Sequence, residues 1–403
     1  MVLPRVALLI ETSREYGRGL LRGIIRYHQE HGPWSIYFKP HGLGDPPPSW
    51  LKSWHGDGIL ARVEGRDMAD AILRAKVPAI DLRASIGDLG LPVVGINNVF
   101  VAKLAVEHFL ERGHRHFAFC GTPLGQHYYQ DMRASCFGEM LCDRGLSCHV
   151  YAHPRQGLTW DQEQSHLAQW LRGLPKPVAV MTCHDDRGQQ VLDACLRASL
   201  AVPDDIAILG VDNDPFLCNL STPPMSSIDV NSDHIGYESA ALLDRMMKGR
   251  PAPRRHVLMD PRGIVVRQST DMMAIDDPQV VQATMLIRAH ACEGGSVEQL
   301  LKRVPISRSA LFRRFKMLLG RSPKEEMTRV RLERAKMLLR ETRLSVSDVA
   351  ARTGYVESKY FIEVFNRAVG ITPLRYRRQF GRSQPFPGDK TIASFSRDRE
   401  SRL

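Results

Sequence analysis

No stretch of the 403-residue chain approaches the roughly 20 consecutive apolar residues of a membrane span. The start, MVLPRVALLIETSREYG, has one short apolar run and then charge. It lacks the basic start, longer apolar core and small-residue cleavage site of a secretion signal. The eight cysteines (120, 136, 142, 148, 183, 195, 218 and 292) form no CxxC pair and no Cys/His finger spacing. Reduced thiols in a cytoplasmic protein are the expectation. GxGxxG, GxxxxGK[ST], GxSxG and HExxH are all missing. The histidine pairs His28/His31 and His114/His116 are dispersed. No enzyme, no catalytic residue, no metal and no cofactor is expected. A hydrophobic share of 43% and a charged share of 25% exclude a mostly disordered or collagen-like chain.

What is present is an uneven charge. The chain carries a net +11, yet residues 281–380 hold 21 Lys/Arg against nine Asp/Glu. Residues 1–280 hold 29 against 32. One C-terminal module therefore carries all the excess positive charge, which points to a polyanion partner for that module alone.

The first 270 residues alternate strand and helix patterns. Arg5–Ile10 is a buried-strand run, and Arg18–His31 has helical apolar spacing. Strands at 58–63, 78–82, 93–97, 116–121, 178–183 and 206–211 interleave with helices at 99–112, 131–144, 186–199 and 232–248. This pattern predicts doubly wound parallel sheets. So long a segment exceeds one sheet, so two lobes are expected, with a ligand cleft at the carboxyl ends of the strands. The strand pattern fails in the acidic stretch Arg267–Pro278. We place the α/β domain at 1–270, a linker at 271–278, an all-helical domain at 279–380, and a flexible tail at 381–403.

The helical domain repeats itself. Ser296-Val297-Glu298-Gln299-Leu300-Leu301 echoes Ser345-Val346-Ser347-Asp348-Val349-Ala350, 49 residues on. Leu311, Phe315, Gly320, Ser322 and Pro323 echo Phe361, Phe365, Gly370, Thr372 and Pro373, 50 residues on. Each copy reads as a capped helix, a turn and a second helix, which is a helix-turn-helix pattern. The helix Met327–Arg340 between them sets their spacing, so that two reading helices can enter successive major grooves. On the first, Arg308–Lys316, the groove-facing candidates are Arg308, Ser309, Phe312 and Arg313. An arginine pairs with guanine bidentately and a phenylalanine can pack on a thymine methyl. On the second, Ser358–Asn366, they are Ser358, Lys359, Ile362 and Glu363. Glu363 either accepts from cytosine or simply caps or pairs with a neighbour. Arg314, Lys316, Arg321, Arg329, Arg375, Arg377 and Arg378 are phosphate candidates.

The residues Ala335-x-x-Leu338-Leu339, Ser345-Val346-x-Asp348-Val349-Ala350, Gly354-Tyr355, Ser358-x-Tyr360-Phe361, Phe365 and Gly370-Ile371-Thr372-Pro373-x-x-Tyr376-Arg377 resemble the signature of AraC-type transcription regulators. The resemblance implies double-stranded operator DNA as the partner. Val304-Pro305 departs from it, since a small residue is usual in that turn. The amino-terminal part is similar to the LacI/periplasmic-binding-protein fold. The matching stretches are Leu104–Phe109 with Gly113-His114-Arg115, Phe117–Gly121, Arg133-x-x-x-Phe137-Gly138, Val180–Asp185 and Ile208–Asn213. The whole resembles a subgroup of xylose-responsive regulators. The implied effector is a pentose sugar, D-xylose first, with arabinose, ribose or another small polar ligand as alternatives. A homodimer is implied, and RNA polymerase as a partner if the chain activates.

A polyol needs convergent groups that make paired hydrogen bonds. Asp212, beyond strand 206–211, is the leading acceptor, and Arg133 the leading donor. His184 and Asp185 lie past strand 178–183. Glu11, Ser13, Tyr16 and Arg18, at the mouth of the first strand, are candidates to close the cleft from the other lobe. The competing readings are a helix cap or hinge bond for Asp212, a surface ion pair for Arg133, and capping of their own helix for the acidic residues. A carbohydrate-acting enzyme or a nutrient-binding protein remains a remote alternative for the whole chain.

Overall fold

The computed structural model describes residues 3–40, 42, 45–86, 89–154, 158–251, 256–272, 274–275 and 277–380, apart from the side chains of Glu341, Gln379 and Phe380. The expected tail, 381–403, and positions 273 and 276 of the expected linker lie outside these residues. The chain falls into two units that part after Ala274.

The first unit has two lobes. Lobe one begins with β1 (Arg5–Leu9), α1 (Glu15–His31), β2 (Ser35–Phe38), β3 (Gly58–Ala61), α2 (Arg66–Arg74), β4 (Ala79–Asp81) and β5 (Val94–Ile96). The sheet order is β2-β1-β3-β4, all parallel. β1 and β3 are buried on both faces, as continuous apolar runs in parallel sheets must be. Helix α3 (Asn98–Glu111) then carries the chain into lobe two. There follow β6 (His116–Cys120), α4 (Tyr128–Cys142), β7 (Cys148–Val150), α5 (Trp160–Gly173), β8 (Val178–Thr182), α6 (Asp185–Ala198), β9 (Ile206–Val211), α7 (Pro215–Leu220) and β10 (Ser226–Asp229). Helix α8 (Ser232–Met247) returns to β11 (Val257–Met259), which pairs with β5, and β12 (Gly263–Val265) re-enters lobe two.

The second sheet, β12-β10-β9-β8-β6-β7, is mixed rather than parallel, because β12 runs antiparallel to β10. The physical reason is the short Asp260–Arg262 connection. The chain leaves β11 at the cleft and enters lobe two from that side without a crossover helix, so it must run away from the cleft. α1 and α8 pack at glycines: a Cβ on Gly236 would lie 2.1 Å from the Leu20 carbonyl oxygen, and one on Gly23 1.9 Å from that of Asp233. α1 starts at Glu15, three residues before the expected Arg18, with Glu15 as an acidic group in its first turn. The segment Arg267–Thr270, where the strand pattern fails, is not free chain. Ser269 and Thr270 are fully buried, and Ser269 donates to the Ile208 carbonyl at 2.6 Å.

The second unit contains α9 (Pro278–His290), α10 (Val297–Leu301), α11 (Arg308–Leu319), α12 (Pro323–Glu341), α13 (Val346–Arg352), α14 (Ser358–Val369) and α15 (Pro373–Phe380). Ser296 and Ser345 each make a full capping box, with Gln299 and Asp348 respectively. Gly320 and Gly370 end α11 and α14 in the left-handed conformation, and Ser307 caps α11. Leu311, Phe315, Phe361 and Phe365 are fully buried, so the repeat in the sequence is a repeat of packing. Gly354 holds φ +78°, and a Cβ there would meet the Ala291 carbonyl oxygen at 2.7 Å. The first turn replaces Gly354 with Pro305 and buries Val304 instead.

Candidate functional site

The carboxyl ends of β3, β4, β5, β8 and β9 and the starts of α1, α3, α4 and α6 converge on a cavity of about 170 Å³ between the lobes. Pockets for drug-sized ligands run to roughly 300–1,000 Å³, so this one suits a small molecule. Its lining is Arg14, Tyr16, Arg62, Arg83, Ile96, Asn98, His127, Tyr129, Gln130, Arg133, His184, Asp186 and Asp212.

Asp212 follows β9 with φ +105°, and Asn213 after it has φ +53°. This strained pair turns the carboxylate into the cavity. Among the described residues its oxygens accept no hydrogen bond; its backbone N–H donates to Ile228. Burial raises the Asp212 carboxyl to about 6, against the pull of Arg133, Arg83 and Arg14. Arg133, on α4, is buried, with Nε and Nη2 donating to Asn98 Oδ1 at 3.1 and 3.0 Å and Nη1 to the Cys183 carbonyl. Its guanidinium keeps N–H groups beyond these. His184 caps α6: its Nδ1 accepts from the Arg187 N–H at 3.1 Å. Burial, helped by Arg14 and Arg83, holds this imidazole well below its ordinary value, so it is neutral and Nε2 carries the proton. Tyr16 lines the cavity with its hydroxyl donating to the Leu82 carbonyl at 2.7 Å.

Four expected ligand residues are placed otherwise. Glu11 is buried against Arg62 and accepts from Ser13 Oγ at 2.7 Å and the Arg14 N–H at 2.9 Å. Ser13 is thereby spent on Glu11. Asp185 is buried beneath the cavity, accepting from Ser227 Oγ at 2.6 Å and the Asp214 N–H at 2.7 Å. Gly210 leaves it room, since a Cβ there would fall 2.2 Å from Oδ1. Arg18 lies outside the lining and spans the mouth, 2.7 Å from Asp214 of the other lobe. Arg14 and Asp186 form a second ion pair across the lobes.

Sequence reasoning missed Arg14, Arg62, Arg83, Asn98, Tyr129, Gln130 and Asp186. Arg83 donates to Glu64 at 2.7 Å and to the Tyr129 hydroxyl, and stacks on that ring at 4.5 Å. Gln130 donates to the same hydroxyl at 2.8 Å. Tyr129-Gln130, one helical turn ahead of Arg133, was the available signal.

In the second unit, Arg308, Ser309 and Arg313 are exposed on α11 and Phe312 is half-buried. Arg308 pairs with Glu298 at 3.1 Å and lies over the Phe312 ring. On α14, Lys359, Ile362 and Glu363 are exposed, whereas Ser358 is half-buried and bonded to Ser347 Oγ at 2.9 Å. Lys316, Arg375 and Arg378 are exposed. Three phosphate candidates of the first rank are engaged internally. Arg314 pairs with Asp277 at 3.1 Å and Gln279 at 2.9 Å. Arg321, like Arg329, pairs with the fully buried Glu326. Arg377 bonds the Leu339 and Leu344 carbonyls. Each serves the packing of a helix end that the sequence pattern alone did not pair with it. Tyr360, 56% exposed, was not among the candidates.

Residues 106–270 match the periplasmic binding protein-like domain family, and residues 300–379 match a helix-turn-helix domain family. The chain is 30% identical over 385 residues to the xylose operon regulatory protein of Escherichia coli strain K12, covering 93% of this chain and 96% of that one. It is 27% identical to the protein of the same name in Haemophilus influenzae, covering 93% and 98%. The solved structure of a xylose-binding transcription activator matches with a TM-score of 0.61 and 28% identity, covering 94% of this chain and 99% of that chain. A LacI transcriptional regulator from a Rhodococcus species shares the fold of the first unit, with a TM-score of 0.56 and 21% identity over 67% of this chain. A two-lobed sensor ahead of paired helix-turn-helix motifs, matched along nearly its whole length, makes this chain a member of the xylose operon regulatory protein family, the ligand-sensing, DNA-binding transcription regulators.

Proposed function

We propose that this regulator senses D-xylose in the interlobe cavity and activates genes for pentose use. The observation that carries the reading is Asp212. The other charged groups of the lining are engaged by the protein: Arg14 with Asp186, Arg62 with Glu11, Arg83 with Glu64, and Arg133 with Asn98. A carboxylate left to accept from a ligand, beside an arginine with N–H groups to spare, suits a neutral polyol with vicinal hydroxyls. Asp212, Arg133, His184 and Tyr16 are the sugar-facing residues in this reading. Sugar binding favours the closed cleft, by no more than its differential affinity for closed and open states. Closure in a homodimer then brings both DNA-reading units onto tandem half-sites. Arg308, Ser309, Phe312 and Arg313 on α11, and Lys359, Ile362 and Glu363 on α14, face the bases; Lys316 and Arg375 meet phosphates. RNA polymerase is the further partner, and the cytoplasm the place of action.

Calorimetric titration with D-xylose, L-arabinose, D-ribose and D-glucose tests the effector. Binding of D-xylose alone, lost in Asp212→Ala, is the expected result. Binding of a different pentose corrects the effector, and binding of none withdraws it.

A further inference from the structure

The two helix-turn-helix motifs share one packing scheme and reverse the sign of charge at one outward position. An offset of 50 residues lays the buried pair Leu311/Phe315 on Phe361/Phe365 and the capping Gly320 on Gly370. The same offset lays Arg313 on Glu363. Each stands two residues past the first buried anchor, about 200° around the helix from it, and so points straight away from the core. Both are exposed, and neither has a hydrogen bond or ion pair among the described residues.

A bare carboxylate at the centre of a groove-facing helix is costly beside DNA phosphates. It is repelled equally by the acceptor edges of guanine (N7 and O6) and thymine (O4). Only cytosine N4 and adenine N6 offer it a donor in the major groove. Adenine sets its N7 acceptor directly beside N6, where it opposes the second carboxylate oxygen. Cytosine has no such acceptor. Ile362, 38% exposed on the flank of the same helix, adds an apolar contact of the kind a thymine methyl takes. The exposed ammonium of Lys359, one turn before Glu363 on the same helix, offsets part of that repulsion.

We propose that the paired motifs read chemically opposite sub-sites: α11 takes guanine through Arg313, and α14 takes cytosine through Glu363. Each half-site then has a fixed polarity, with its guanine and its cytosine contact about one helical turn apart. Glu363 is a specificity-determining residue that rejects guanine at its position. The proposal rests on the reading that both helices enter the groove.

The test is selection from randomised duplexes by the full-length protein, for the wild type and for Glu363→Gln, Arg313→Ala and Lys359→Ala. The wild type is expected to enrich one invariant cytosine and one invariant guanine. Glu363→Gln keeps the shape and removes the charge, and glutamine pairs with adenine N6 and N7. It is expected to shift the cytosine position toward adenine by at least about fivefold and to leave the guanine position alone. Tighter binding to all sequences with unchanged base preferences would show that Glu363 is only a solvated charge, and overturns the proposal. Unchanged DNA affinity in both Arg313→Ala and Lys359→Ala overturns it differently, by removing the two helices from the groove.

Discussion

Arg18 Nη2 lies 2.7 Å from Asp214 Oδ2, so the first turn of α1 in one lobe is tied to the cap of α7 in the other. Asp214 meanwhile accepts from the Phe216 N–H at 2.9 Å with its other oxygen, which fixes the carboxylate where the arginine finds it. With Arg14–Asp186, the lobes are joined by charge at two points around the cavity.

Arg18→Ala removes one of these two ion pairs between the lobes. Partly exposed pairs contribute about 0.5–1 kcal/mol. The expected outcome is a two- to fivefold loss of effector affinity, seen by calorimetry, with DNA affinity in saturating effector unchanged. Undiminished affinity would remove the pair from the closing equilibrium.

If Asp212 accepts from the effector as proposed, effector binding depends on pH. Burial raises its carboxyl from the ordinary 3.8 to about 6 in the folded sensor. The folded state holds this proton more tightly than the unfolded one, so the group's stabilising contribution is complete below about 4 and is lost as pH rises to about 6. In the proposed reading the effector's hydroxyls donate to the ionised carboxylate. Affinity should rise from pH 5 to 7 and then level off. Asp212→Asn should abolish that rise, weaken binding at least about a hundredfold, and raise the Tm of the free protein at pH 7.5. Calorimetry and thermal melts across pH check each part.

Glu326 behaves oppositely. Burial pushes its carboxyl up, but the bonds and charges of Arg329 and Arg321 outweigh this and hold it at about 2. A depressed folded value gives stability above about 4.5 that is lost as pH falls toward 2. Glu326→Gln strips the charge from a buried triad and is expected to cost about 3 kcal/mol. Acid and denaturant unfolding of the helix-turn-helix unit measure it. Glu325→Gln, at an exposed neighbour, is the control.

The exit from the sensor is held by polar bonds rather than apolar packing. Thr270 Oγ1 meets His108 Nε2 at 2.9 Å and Ser226 Oγ at 2.8 Å, and its carbonyl accepts from Arg112 Nε at 2.8 Å. Thr270→Val leaves buried groups unsatisfied, which costs about 1–3 kcal/mol. The expected phenotype is intact sugar and DNA binding with a weakened transcriptional response to effector. A full response would show that the network only stabilises lobe two.

The architecture was legible in the sequence because it rests on local pattern. Apolar runs of β1, β6, β8 and β9 announced parallel strands. The serine caps and 50-residue echoes announced paired motifs, and Leu311, Phe315, Phe361 and Phe365 were placed in the core from spacing alone. α2 and α5 went unread, although Thr159 and Gln162 form a capping box at the start of α5. Asp212, Arg133, His184 and Tyr16, each expected because it follows a strand's carboxyl end or opens a helix beside one, line the cavity. Tertiary structure decided which neighbouring charges were free. Asp185 and Asp212 both lie just past strands, yet Ser227 and the Asp214 N–H occupy one and leave the other open. Arg313 and Arg321 look alike in sequence, yet only Arg321 meets a buried glutamate. Hydrophobic periodicity is a property of consecutive residues. Pairing of charges depends on partners brought from far along the chain, so only the folded molecule determines it.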